Sequence, residues 1–152
     1  MATIEEKYNK LSELLNFKEY HEKGFDGKGI IVASVESTDS SHGEQVKNTC
    51  LTYAPNCTFI SYNDCHDRSA TGDDGNGNIE FPKFVDWCIE NKVDIVTSSL
   101  SWSCNNQEEK DAIKKLYDNG IIYVNCAGND RHNIEHRENG NQPYTFDKES
   151  IC

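Results

Sequence analysis

The sequence predicts a doubly wound α/β fold, a parallel sheet with helices on both faces. Three observations lead there. Short runs rich in β-branched residues alternate with amphipathic stretches of helical period. Most of the connections between them are short, which favours strand–helix–strand units built with right-handed crossovers. The first of the runs, IIVASV, shows little polar–apolar alternation, as expected of a strand covered on both faces.

The elements follow in order. Ile4, Tyr8, Leu11 and Leu15 recur at helical spacing and Gly24 offers a stop, so one amphipathic helix is expected over about residues 3–21. After the turn GFDGKG comes IIVASV (30–35) as a strand. A helix near 43–53 places Val46, Cys50 and Tyr53 on one face, and CTFISY (57–62) follows Pro55-Asn56 as the next strand. Phe81, Phe84, Val85, Cys88 and Ile89 give residues 80–91 a helical apolar stripe that runs into VDIVTSSL. A last helix, 106–118, is capped near Asn105 or Asn106, ends at Gly120 and leads to IIYVNCA.

The stretch Asn63 to Asn78, containing RSATGDDGNGN, is long for a plain connection and reads as a binding loop or a mobile segment. From Asp130 to Cys152 periodicity is weak, and KESIC reads as the beginning of a further strand. In open parallel sheets ligands bind beyond the carboxyl ends of the strands. Glu36, Ser101 and Asn129 stand just after the first, third and fourth strands.

Length and charge narrow the function. At 152 residues the chain fits one domain, burying about 68–70% of the surface of its unfolded form. A net charge of −11 repels polyanions, so neither nucleic acid nor an anionic membrane is an expected partner. No apolar stretch reaches the length of a secretory signal or a membrane span, and a cytoplasmic protein is expected. The seven cysteines include no C-x-x-C pair and read mostly as small buried residues in a reducing compartment.

Five stretches, in order, resemble the subtilisin family of serine peptidases. GFDGKGIIVASVES is similar to the strand that ends on the triad acid, with Glu36 where the family usually has Asp. HGEQV (42–46) is similar to the His-Gly start of the helix carrying the catalytic base, and APNCTFISY to the following strand. DGNGNIEFPKFVDWCIENKVDIVTSSLSW resembles the substrate-pairing edge, its helix and the strand ending in Ser-Leu-Gly. LYDNGIIYVNCAGND resembles the stretch ending in Ala-Gly-Asn.

The resemblance covers about residues 24–130. It implies a partial subtilisin-like peptidase domain over 1–152, with an N-terminal helix (1–23), a core (24–130) and a loop or tail (131–152). It also implies roles: Glu36 orients His42, His42 is general base and then acid, and Asn129 stabilises the oxyanion. Gly75, Asn76, Gly77, Ser99, Leu100 and Ser101 line the peptide. The chemistry agrees, since histidine is the side chain suited to take a hydroxyl proton near neutral pH. A carboxylate on its other nitrogen fixes the tautomer. An amide aimed at the oxyanion contributes about 2.7–4 kcal/mol, a magnitude that itself comes from a subtilisin.

The expected substrate is a peptide or protein, with no cofactor and no metal. Asp73, Asp74, Asn76, Asn78 and Glu80 resemble a calcium loop, but Ile79 stands where that loop needs glycine.

The chain departs from the family pattern in three ways: Glu for Asp at 36, only five residues between Glu36 and His42, and no Gly-Thr-Ser-type turn to supply the nucleophile. An alignment in which DSSHG is a non-catalytic stretch after the acid stays open, as does a plain turn histidine at 42. Two further readings stand beside the peptidase: a peptide-binding pseudopeptidase, and a chain that self-associates through an exposed sheet edge.

Overall fold

The computed structural model describes residues 4–62, 80–100 and 107–126. Five helices and four strands alternate within them: α1 (Ile4–Leu15), α2 (Phe17–Glu22), β1 (Ile31–Ser34), α3 (Ser41–Tyr53), β2 (Thr58–Ser61), α4 (Phe81–Glu90), β3 (Ile95–Ser98), α5 (Gln107–Asp118) and β4 (Ile122–Asn125). The strands form one parallel sheet in the order β2-β1-β3-β4. The α/β class expected from the alternation is what the chain adopts.

Strand pleating divides the sheet into two faces. Ala33, Val35, Val96 and Tyr123 join Phe84, Val85 and Cys88 of α4 and Ile113 and Leu116 of α5 in one buried core. The stripe read from residues 80–91 is therefore the face that packs. Val32, Ile95, Thr97 and Val124 lie on the opposite face, where α3 turns Val46, Cys50 and Tyr53 toward them.

β1 and β3 are fastened at both ends by carboxylates. At the entrance, Asp94 Oδ2 accepts the amide of Ile31 at 2.8 Å while the Asp94 amide donates to the Ile31 carbonyl at 3.0 Å. At the exit, Glu36 accepts the amide of Ser99. Both links join residues 63 positions apart in sequence.

The single helix expected over 3–21 is two helices. Asn16 adopts the left-handed conformation (φ 56°), which asparagine tolerates better than other non-glycine residues, and the chain restarts at a new angle. The restart docks α2 on α3: Phe17 stacks on Tyr53 with centroids 4.4 Å apart, and His21 Nε2 donates to the Tyr53 carbonyl at 2.8 Å. Leu15, placed on the apolar stripe by its spacing, is 52% exposed.

The expected stop at Gly120 has its physical basis in a positive φ of 74°, with Ile121 N donating back to the Leu116 carbonyl at 3.0 Å. The caps expected at Asn105 or Asn106 lie outside the described residues. Of the cysteines described, only Cys88 is fully buried; Cys50, Cys57 and Cys126 are half-buried free thiols.

Candidate active site

The acid sits at the carboxyl end of β1. Period two places Ser34 and Glu36 on the same side of the extended chain. The Ser34 hydroxyl donates to Glu36 Oε2 at 2.5 Å, and the Glu36 amide returns a bond to Ser34 Oγ at 3.2 Å. With Ser99 N donating to Oε1, each carboxylate oxygen has a donor, although Glu36 is only 3% exposed. Those donors offset the desolvation that would otherwise make a carboxylate there costly.

The turn after Glu36 is built by short polar side chains. Ser40 caps α3, accepting from Gly43 N at 3.0 Å while its hydroxyl donates to the Ser37 carbonyl at 2.8 Å. Ser37 Oγ accepts the Asp39 amide at 3.2 Å, and Thr38 Oγ1 lies 3.0 Å from Ser61 Oγ on β2. The turn folds so closely over the helix start that a Cβ on Gly43 would overlap the Ser37 carbonyl, its carbon 2.6 Å away. Glycine after His42 is thus a packing requirement, which accounts for the His-Gly pair.

His42 is the second residue of α3 and is exposed. It lines a groove of about 610 Å³ whose walls include Val46, Cys50 and Tyr53 of α3, Phe17 of α2, and Val32, Ile95, Thr97 and Val124 of the sheet. Ser99 lines the same groove. An exposed imidazole beside a mainly apolar groove can exchange a proton with a group seated there.

Of the residues expected to act together, the fold brings Glu36 to Ser99 by a hydrogen bond, and His42 and Ser99 to one groove. No hydrogen bond joins Glu36 to His42. Ser99 donates its amide to Glu36. Leu100 is at the surface beyond it, its amide 3.4 Å from Ser98 Oγ. Asn129, Gly75, Asn76, Gly77 and Ser101 lie outside the described residues. Among the described residues no three His, Cys, Asp or Glu side chains are grouped to hold a metal ion.

Two contributors went unnoticed in the sequence. Ser34 could have been found from its position two residues before the acid on the same strand face. Gly43 looked like part of a motif, and its close approach to Ser37 depends on a turn that only the structure shows.

A parallel α/β scaffold with an acid closing its central strand and a histidine opening the next helix is a framework of the serine peptidase kind. A family model described as the subtilase family matches residues 6–150, and the chain belongs to that family. It is similar to the major intracellular serine protease of Bacillus subtilis (strain 168), 31% identical over 125 residues, which is 82% of this chain and 36% of that protein. It is also similar to the minor extracellular protease Epr of the same organism, 34% identical over 62 residues, or 40% of this chain and 10% of that one. The chain thus spans little more than a third of the curated relatives at most.

Among the described residues no helix is long and apolar enough to cross a membrane.

Proposed function

We propose that the chain supplies the acid–base and peptide-aligning part of a subtilisin-type serine endopeptidase site. Glu36 orients His42, and His42 takes the nucleophile's proton and returns it to the leaving amine. Asn129 donates to the oxyanion, while Gly75 to Gly77 and Ser99 to Ser101 hold the peptide as an added strand. The single observation that carries this reading is Glu36, a carboxylate buried at the carboxyl end of the central strand, one turn before His42. Each of its oxygens keeps a lone pair for an imidazole N–H, and catalytic hydrogen bonds tighten when substrate binds.

The test is the ring N–H signal of His42 in proton NMR with an unstructured substrate-like peptide bound. A low-field, exchange-protected proton that disappears in Glu36→Gln supports the pair. Identical spectra in the two proteins sink it. The 152 residues contain no Gly-Thr-Ser-type turn, so an active-site-directed fluorophosphonate should leave this chain unlabelled. Stoichiometric labelling would show a nucleophile in an unexpected place.

A second reading is favoured by the engagement of both Glu36 oxygens with Ser34 and Ser99 rather than with His42. In that reading the site is a pseudopeptidase cleft that binds extended peptide without turnover. Titration calorimetry with unstructured peptides distinguishes the two: saturable binding, weakened by Gly77→Val and without cleavage, supports the cleft, and no heat argues against it. A peptide or protein is the partner in both readings, and the cytoplasm is the compartment we propose.

A further inference from the structure

The groove beside His42 also reaches Cys50, one of a pair of neighbouring thiols. Cys50 lies in the last turn of α3 and lines the groove, and Cys57 immediately precedes β2. Their sulfurs are 4.0 Å apart. The backbone between them is already a closed turn, with Ala54 N donating to the Cys50 carbonyl at 2.8 Å and Cys57 N to the Ala54 carbonyl at 3.1 Å. Asn56 fixes the turn from outside, its amide on the Asp26 carbonyl at 3.0 Å and its side chain on Asp26 Oδ2 at 2.5 Å. A disulfide needs the sulfurs at about 2.05 Å. Closing from 4.0 Å to that length is a movement of about 2 Å.

We propose that Cys50 and Cys57 are a redox pair that a hydroperoxide closes to a disulfide, tying the end of α3 to the start of β2. Cys57 sulfur attacks the distal peroxide oxygen, the O–O bond breaks, and an alcohol or water leaves with the proton. The product is a Cys57 sulfenic acid. Cys50 sulfur then attacks that sulfur, the S–O bond breaks, and the Cys50 proton departs with the hydroxyl as water. Two thiols lose two electrons in all and the peroxide gains them.

Burial, and then the neighbouring Cys57, push the Cys50 thiol up to about 12, which disfavours it as the first nucleophile. Closure anchors one end of the helix whose other end carries His42. The pairing depends only on the α3–β2 turn and holds whether or not the groove hydrolyses peptides.

Peptide mapping of the reduced 152-residue protein, before and after hydrogen peroxide and with remaining thiols blocked by N-ethylmaleimide, tests it. Trypsin releases Asn48–Arg68, which contains Cys50, Cys57 and Cys65. After oxidation this peptide should lack two hydrogens and carry one maleimide, on Cys65. Dithiothreitol should restore three maleimides, and neither Cys57→Ser nor Cys50→Ala should give the cross-linked product. Three maleimides after peroxide, or a link through any other cysteine, would overturn the proposal. The wild-type map is decisive even where a variant does not fold.

Discussion

Removing the Ser34 hydroxyl takes one of two donors from a buried carboxylate. Ser34→Ala should cost about 1.5–3 kcal/mol, the range for hydrogen bonds to charged groups, read as a lower urea midpoint with an unchanged slope. Gly43→Ala forces a methyl into the Ser37 carbonyl, and since both are backbone-anchored the turn must move. A loss of about 1–3 kcal/mol in thermal unfolding is expected, and an unchanged midpoint would mean the turn is looser than it looks.

Asp26 gives a pH dependence. The Asn56 side-chain amide, and then the Lys28 backbone N–H, hold its carboxyl below its ordinary value of 3.8. The folded value lies below the unfolded one, so the stabilisation is present in full above 3.8 and is lost as pH falls through the folded value. A difference in unfolding midpoint between wild type and Asp26→Ala should be present at neutral pH and shrink below 3.8; a constant difference down to strong acid would rule this out. At this scale the positions of Glu36 just after β1 and His42 at the start of α3 were legible from the family-like motifs that carry them, while their roles rest on the proposed function. The partner of Glu36 was not, because Ser99 is 63 residues away and donates through its backbone, which leaves no mark on residue type.

Helices and strands were mostly legible to within a residue or two, since each is short and strongly periodic. α4 is the clearest case: four residues of its stripe are buried, with Pro82 in its first turn. Phe84, fully buried between α5 and the sheet, should cost about 3–5 kcal/mol as alanine in denaturant unfolding. Leu14, 76% exposed on α1, should fall within about 0.5 kcal/mol of wild type under the same treatment. The break between α1 and α2 was hidden. Its only local signal is Asn16, and asparagine is also found in unbroken helices, so the left-handed turn is selected by the docking of Phe17 and His21 on Tyr53. α3 shows the same division: its length came from periodicity, whereas its tight entry came from Ser37, Ser40 and Gly43 acting together.

Across the molecule, the sheet order β2-β1-β3-β4 puts the first strand of the chain near the middle. Alternation of elements predicted a parallel sheet, and the crossover from β1 past β2 to β3 is the arrangement that places Glu36 and Ser99 side by side. That adjacency has a consequence during synthesis. Ile31 and Glu36 each bond to residues 63 positions later, which emerge from a ribosome roughly 3–13 s afterwards at 5–20 residues per second. Until then a β1–β2 pair can form with α3 across it, but β1 remains an edge strand, its Ile31-Val32-Ala33 run unsealed on one side. A strand paired on both sides in the finished protein is therefore open on one side in the nascent chain.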